Sequence, residues 1–227
     1  MNKKYALFSA VPRSGNTFLS RCLTSAIEIN SHQNIDIRVS SHIHSPAILS
    51  FDQTDDIKIY TLFRNPLDNI ISSTVHKIFF HKGPSYKFDN DFSVINYNIN
   101  KSINQYVEYL EFQRKNQKAT VIMFNKLIND PHYIIERLLI DCGAVYENKI
   151  SIDDITLGIK SEDKNLYMNG EGDFANGALH LPHDIQSTPI YEILKKDLPL
   201  MPIYQNLESL YYETLYETRM SDCRIYD

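Results

Sequence analysis

The chain has 227 residues, 43% of them hydrophobic and 22% charged, with a formal net charge of −5. That size and apolar content suit one globular domain, residues 1–227, with a full core. The negative balance excludes a global basic field that would draw in nucleic acid or an anionic membrane, so any anion site must be local and built from loops.

The first predicted element is a strand over Tyr5-Ala6-Leu7-Phe8-Ser9-Ala10-Val11. It stops at Pro12, turns through Ser14-Gly15, and restarts as a helical pattern from Phe18 to Ile29. A helix start carries unpaired backbone N–H groups and a partial positive charge, which makes it an anion site in waiting. Gly15 lets the backbone approach an oxyanion without a Cβ in the way. Ser14, Asn16 and Thr17 add short donors, and Arg13 adds a fixed fork of them. Set against the phosphate-loop pattern G-x-x-x-x-G-K-S/T, Gly15 falls on the second glycine and Thr17 on the Ser/Thr. Ala10 then stands at the first glycine and Asn16 at the lysine. The missing lysine points away from the Mg-linked phosphates of ATP.

Alternation over Ile35-Asp36-Ile37-Arg38-Val39 predicts a second strand, followed by Ser40-Ser41-His42-Ile43-His44. Histidine takes up a proton near neutral pH, and this stretch holds two, His42 and His44. A third strand, buried on both faces, is predicted over Ile57-Lys58-Ile59-Tyr60-Thr61-Leu62-Phe63. It ends in Arg64-Asn65-Pro66-Leu67-Asp68, and a helix follows over Asn69–Phe80. Pro66 suits a first helical turn, and Asp68 suits the positive end of the helix. Arg64 stands at the strand tip.

Downstream, Ile95, Ile99, Ile103, Tyr106, Val107 and Leu110 recur at helical spacing within a long helix over about 92–113. Thr120-Val121-Ile122-Met123-Phe124 is a fourth short strand; Asn125-Lys126-Leu127-Ile128-Asn129-Asp130-Pro131 and a helix to Cys142-Gly143 follow, with Gly143 as its C-terminal cap. Strands alternating with helices imply a parallel sheet covered on both faces. Right-handed crossovers then bring the loops at 12–17 and 64–66 to one carboxyl edge. The expected fold is therefore α/β, a three-layer sandwich around a parallel sheet of about four to five strands. Residues 1–143 form its nucleotide-binding core. Residues 144–200, rich in glycine and proline, are expected to be an irregular lid or substrate region. Residues 201–227 are expected to hold a C-terminal helix.

Two of these segments carry a resemblance. Pro12-Arg13-Ser14-Gly15-Asn16-Thr17-Phe18-Leu19 resembles the 5′-phosphosulfate loop of the sulfotransferase family, P-K/R-S-G-T-T-W/F-L, with Asn16 for the first threonine. Arg64-Asn65-Pro66-Leu67-Asp68 through Ser72 resembles its 3′-phosphate motif, R-D/N-P-x-D-x-x-x-S. The resemblance implies a P-loop-type fold and the cofactor 3′-phosphoadenosine 5′-phosphosulfate (PAPS), with adenosine 3′,5′-bisphosphate (PAP) as product. It implies that Arg13 and the backbone of Ser14, Gly15, Asn16 and Thr17 hold the 5′-phosphate, that Arg64 and Ser72 hold the 3′-phosphate, and that Phe18 stacks on adenine. Ser40-Ser41-His42 falls on the family's K-T-H, which makes His42 the implied base, with His44 as the alternative. Asn125-Lys126-Leu127 falls on E-D-L. Gly172-Asp173-Phe174-Ala175-Asn176 is similar to G-D-W-K/R-N. The R-K-G that precedes it in the family is replaced by Tyr167-Met168-Asn169, which leaves Lys164 as a substitute cation.

The implied activity is sulfuryl transfer to a hydroxyl or amine of a small-molecule or carbohydrate acceptor. Two other classes stay open at this point: a small-molecule kinase using Mg-ATP, and a non-catalytic nucleotide-binding module. His180-Leu181-Pro182-His183-Asp184 lacks the spacing of a metal site, and no metal is expected. Cys22, Cys142 and Cys223 are scattered, which predicts a reducing, cytoplasmic setting. The apolar stretch behind Met1-Asn2-Lys3-Lys4 breaks at Pro12-Arg13, so neither a signal peptide nor a membrane span is expected.

Overall fold

The computed structural model describes residues 2–31, 35–43, 45–82, 92–167 and 189–227. Five parallel strands make one sheet in the order β2-β1-β3-β4-β5. They are β1 (Asn2–Ser9), β2 (Ile35–Ile43), β3 (Ile57–Phe63), β4 (Thr120–Met123) and β5 (Ile225–Tyr226). The helices are α1 (Asn16–Ile29), α2 (Pro66–Lys82), α3 (Phe92–Asn116), α4 (Phe124–Asn129), α5 (Pro131–Asp141), α6 (Ile152–Tyr167), α7 (Pro189–Asp197) and α8 (Pro202–Met220).

The central strand β3 is buried on both faces towards its carboxyl end, and its alternation sorts two cores. On β3, Ile59 and Phe63 point to one core and Tyr60 and Leu62 to the other. The first core packs α2, α3, α7 and α8 against the sheet. The second packs α1 and α5 through Leu19, Leu23, Ile134 and Leu138. The predicted stripe on α3 is core: Ile95, Ile99, Ile103, Tyr106 and Leu110 are buried, and Val107 packs partly buried beside them. The expected three-layer α/β architecture is therefore present, with helices on both faces of a parallel sheet.

Two helices and a short strand were not placed by the sequence. Within the stretch read as irregular, α6 spans Ile152–Tyr167 and α7 spans Pro189–Asp197. The start of α6 had a signal, because Ser151 Oγ accepts from the Asp154 amide at 3.2 Å, a Ser-x-x-acid cap. The fifth strand is two residues of the tail, too short for any periodicity. It pairs with β4 through Val121↔Ile225 and Ile122↔Tyr226.

Side-chain bonds hold that tail. Asp141, at the end of α5, accepts from Tyr226 Oη at 2.7 Å, Tyr60 Oη at 3.2 Å and Arg224 Nη1 at 2.8 Å. Tyr60 is fully buried. Asp141→Ala would leave its hydroxyl unpaired and release β5. The expected cost is about 1–3 kcal/mol, read as a melting temperature roughly 3–10 °C lower. An unchanged melting curve would show that β5 hangs on its backbone pairing alone.

The strand order positions the site. From β1 the chain crosses to β2 on one side, while β3 lies on the other. Helix α1 covers one face and α2 the opposite one. A crevice therefore opens at the carboxyl ends of β1 and β3, where an open parallel sheet reverses its winding.

Candidate functional site

The first corner of the crevice is a strained turn. The Ser14 amide donates to the Val11 carbonyl at 3.2 Å, closing Val11-Pro12-Arg13-Ser14. Arg13, third in the turn, has φ 71°. That is left-handed backbone, where a non-glycine residue costs about 1–2 kcal/mol. Such a conformation persists only when its surroundings enforce it. Here they do: Asn69 Nδ2 donates to the Pro12 carbonyl at 3.1 Å and to Ser14 Oγ at 3.0 Å, and Arg64 Nη1 donates to the Arg13 carbonyl at 2.7 Å.

Gly15 follows at φ 97° as the N-cap of α1, and no side chain caps the helix. A Cβ on Gly15 would sit 3.0 Å from the Phe124 ring carbons, so glycine is required by both torsion and space. The first turn of α1 has no acidic residue. Asn16 is 7% exposed, and both its Nδ2 and its Oδ1 are buried without a hydrogen-bond partner. Buried polar atoms of a loop at a helix start usually find partners. An uncapped N-terminus flanked by an unsatisfied amide is chemistry that an anion completes.

The second corner is the end of β3. Asn65 Oδ1 accepts from the Leu67 amide at 2.9 Å and caps α2, with Pro66 at its first position. Arg64 is 7% exposed, and its guanidinium lies 4.5 Å from the centroid of the Phe124 ring. Its carbonyl accepts from Tyr106 Oη. Burial lowers the Arg64 pKa, and the neighbouring Asp68 acts in the opposite sense. Arg64 Nε has no hydrogen-bond partner. Nearly two turns into α2, Ser72 is buried and accepts from Arg13 Nε at 3.3 Å.

The two corners, 51 residues apart, are thus bonded to each other. Arg13, Ser14, Gly15, Asn16, Arg64 and Ser72 come together in one place. Thr17 and Phe18 follow in the first turn of α1, each half-buried. His42 is the penultimate residue of β2, at the same carboxyl edge, where β2 pairs with β1 through Ser9↔Ile43. His44 lies outside the described residues, as do 168–188, which include the G-D-F-A-N segment and His180 and His183. Among the described residues no cluster of three or more His, Cys, Asp or Glu is placed to hold a metal, and no helix is long and apolar enough to cross a membrane.

Three residues that build the site carried no signal in the sequence. Asn69, fully buried, ties both turn carbonyl and serine. Phe124 supports Gly15 and Arg64 together. Tyr106 holds the Arg64 carbonyl from α3.

Lys77, five residues beyond Ser72 on α2, donates to Ser102 Oγ of α3 at 3.1 Å. Burial, then the like charge of Lys101, brings its pKa down from 10.5 to about 8. Lys101 on α3 is the charged group facing it, while Tyr191 of α7 and Tyr204 of α8 lie at the Asp68 end of α2. Between pH 8 and 10.5 the unfolded chain binds more protons at this residue than the folded one, so its destabilisation is full below pH 8 and fades as pH rises. Lys77→Met is accordingly expected to melt higher than wild type at pH 7, with the gap closing towards pH 10.5. A gap that stays constant with pH would assign the effect to packing.

No family model matches the chain, and no curated protein matches it. Among solved structures it is similar to a sulfotransferase from Alicyclobacillus acidocaldarius, at 14% identity and a TM-score of 0.40, over 85% of this chain and 100% of that one. It is also similar to the sulfotransferase domain from the curacin biosynthetic pathway, at 14% identity and a TM-score of 0.41, over 91% of this chain and 96% of that one.

Proposed function

We propose that the chain is a sulfotransferase that moves a sulfuryl group from PAPS to a hydroxyl or amine of an acceptor by in-line displacement. The observation that carries the reading is the junction of the two corners: Arg64 bonds the Arg13 carbonyl, and Arg13 bonds Ser72. That junction puts two guanidinium groups and an uncapped helix N-terminus around one crevice. A ligand with a single phosphate needs only one such corner. Two corners suit a nucleotide with phosphate groups at two separate positions, which is what distinguishes PAPS from ATP.

The residues present fit that group. Arg64 Nε and the Asn16 amide are buried donors without partners. Gly15 keeps the approach to the helix start free of a side chain. Arg13 and the Ser14–Thr17 backbone would hold the 5′-phosphate, and Arg64 with Ser72 the 3′-phosphate. When bound, PAPS supplies the sulfuryl group and a good leaving group. Sulfuryl transfer, like phosphoryl transfer, asks a protein for positioning and charge stabilisation more than for covalent chemistry. Arg13 stabilises negative charge growing on the leaving side, and His42 takes the proton of the acceptor.

Calorimetric titration with PAP against Mg-ATP tests the reading. Tight binding of PAP with weak or absent binding of Mg-ATP is expected. The reverse order would replace the sulfotransferase by a kinase. A transfer assay on His42→Ala separates enzyme from binding module: the expected result is a loss of rate with PAP affinity kept.

A further inference from the structure

Helices α2 and α3 meet through an apolar interface that a polar strip interrupts. Helix α3 runs antiparallel to α2, with Tyr106 at Arg64 and Ser102 at Ser73 and Lys77. The apolar part is Ile70, Ile71, Val75 and Ile78 against Ile95, Ile99 and Ile103. The strip is Ser72, Ser73 and Lys77 on α2 with Ser102 and Asn98 on α3. Ser102 Oγ lies 3.1 Å from Ser73 Oγ and 2.8 Å from the Asn98 carbonyl, and receives the Lys77 ammonium at 3.1 Å. Ser73 and Ser102 are 2% and 1% exposed.

Residues four apart on a helix share a face, so Ser73 and Lys77 lie in one row and Ser72 and His76 in the next. The Lys77 side chain turns back towards the helix N-terminus, as helical side chains do. Its ammonium is therefore within two hydrogen bonds of Ser73, and Ser73 is the chain neighbour of Ser72, the acceptor of the Arg13 bond. The strip begins at the proposed transfer site and ends at a cation.

A surface lysine normally keeps its ammonium in water and lays only its stem on apolar surface. Lys77 is half-buried instead: its ammonium is bonded to the seryl layer at Ser102, and the charge it meets is Lys101. Among the described residues no carboxylate pairs with it. A cation withdrawn from water without a counter-ion is unfavourable until an anion reaches it. The Ser102 hydroxyl, which receives the ammonium and donates to the Asn98 carbonyl, fixes the direction of the cation.

Resting on the sulfotransferase reading above, we infer that Lys77, oriented by Ser102 and through it by Ser73, recognises the acceptor, and that this acceptor carries an anionic group of its own beside the hydroxyl or amine that is modified. The class is a hydroxylated or aminated compound bearing a carboxylate, sulfate or phosphate monoester. Arg13 and Arg64 face the donor nucleotide; Lys77 is a separate cation one and a half turns further along α2. A neutral acceptor would leave it uncompensated.

An aldehyde probe tests the site directly. The protein, with PAP added to saturate the nucleotide corners, is treated with pyridoxal 5′-phosphate or with pyridoxal, reduced with borohydride and mapped by peptide mass spectrometry. Labelling is normalised to Lys195 and Lys196, which are exposed on α7. The expected result is at least tenfold preference of Lys77 for the phosphate-bearing aldehyde over pyridoxal. Equal normalised labelling by the two probes, or none at Lys77 with either, overturns the inference. Calorimetry on the same sample reports PAP binding separately. A sample that fails to bind PAP but labels Lys77 selectively would remove the nucleotide reading and keep the anion site. One that binds PAP without selective labelling would do the reverse.

Discussion

Arg13→Ala is expected to lower turnover by about 10²–10³, the usual loss when one well-placed donor is removed from a charge-stabilising site. The structure shows why the effect should be confined to chemistry. The Arg13 backbone is held by the bond from Arg64 to its own carbonyl and by those from Asn69 to the Pro12 carbonyl and the Ser14 hydroxyl, and none of these needs its side chain. What the side chain contributes is a guanidinium over Ser72. Arg13→Gly sharpens the test. At φ 71° glycine avoids a strain of about 1–2 kcal/mol, so this variant should melt within a few degrees of wild type while being as inactive as the alanine variant. Turnover within threefold of wild type in either variant would remove Arg13 from the reaction.

Arg64→Ala should act on a different quantity. Truncating one member of a buried, hydrogen-bonded charge contact costs about 2–4 kcal/mol, or roughly 30- to 1,000-fold in affinity for PAP. Arg64 serves two tasks at once. It would meet the 3′-phosphate, and it already anchors the Arg13 carbonyl while stacking on Phe124. Lysine cannot reproduce this, because a point charge on a flexible stem neither stacks flat nor donates along two directions at fixed angle. Arg64→Lys is therefore expected to recover little of the lost affinity. Calorimetry with PAP is the measurement, and wild-type affinity in Arg64→Ala refutes the assignment. A fall in melting temperature alone, with affinity intact, would reduce Arg64 to a strut beneath the loop.

Both predictions concern residues that stand out in the chain, and the reason is local. Arg13 and Gly15 lie between a strand and a helix start, and Arg64 lies between a strand and a proline at a first helical turn. These junctions are defined by neighbours within a few positions. The capping role of Asn65 was equally local, as was the Ser151–Asp154 cap of α6. Asn69 and Phe124 are different. Asn69 is a polar residue inside a helix, and its purpose is visible only when the loop 57 residues earlier lies against it. Phe124 ends a strand in the sequence and begins α4 in space, where its ring packs against Gly15 and Arg64. Lys77 gave no sign at all, since a lysine on a helix is ordinarily solvated, and only the approach of α3 turns it into a half-buried cation bonded to Ser102.

By itself the sequence determined the period-two strands, the helical stripes and the two strand-to-helix corners, because each depends on side-chain alternation or on torsions set by adjacent residues. It follows that the chain folds as a helix-covered parallel sheet. Only the tertiary structure decided that the two corners touch, that Arg13 is held in a left-handed turn by Asn69 and Arg64, and that a two-residue tail completes the sheet. Those outcomes depend on crossover handedness and strand order, which bring together residues tens of positions apart and leave no mark in any short window of the chain.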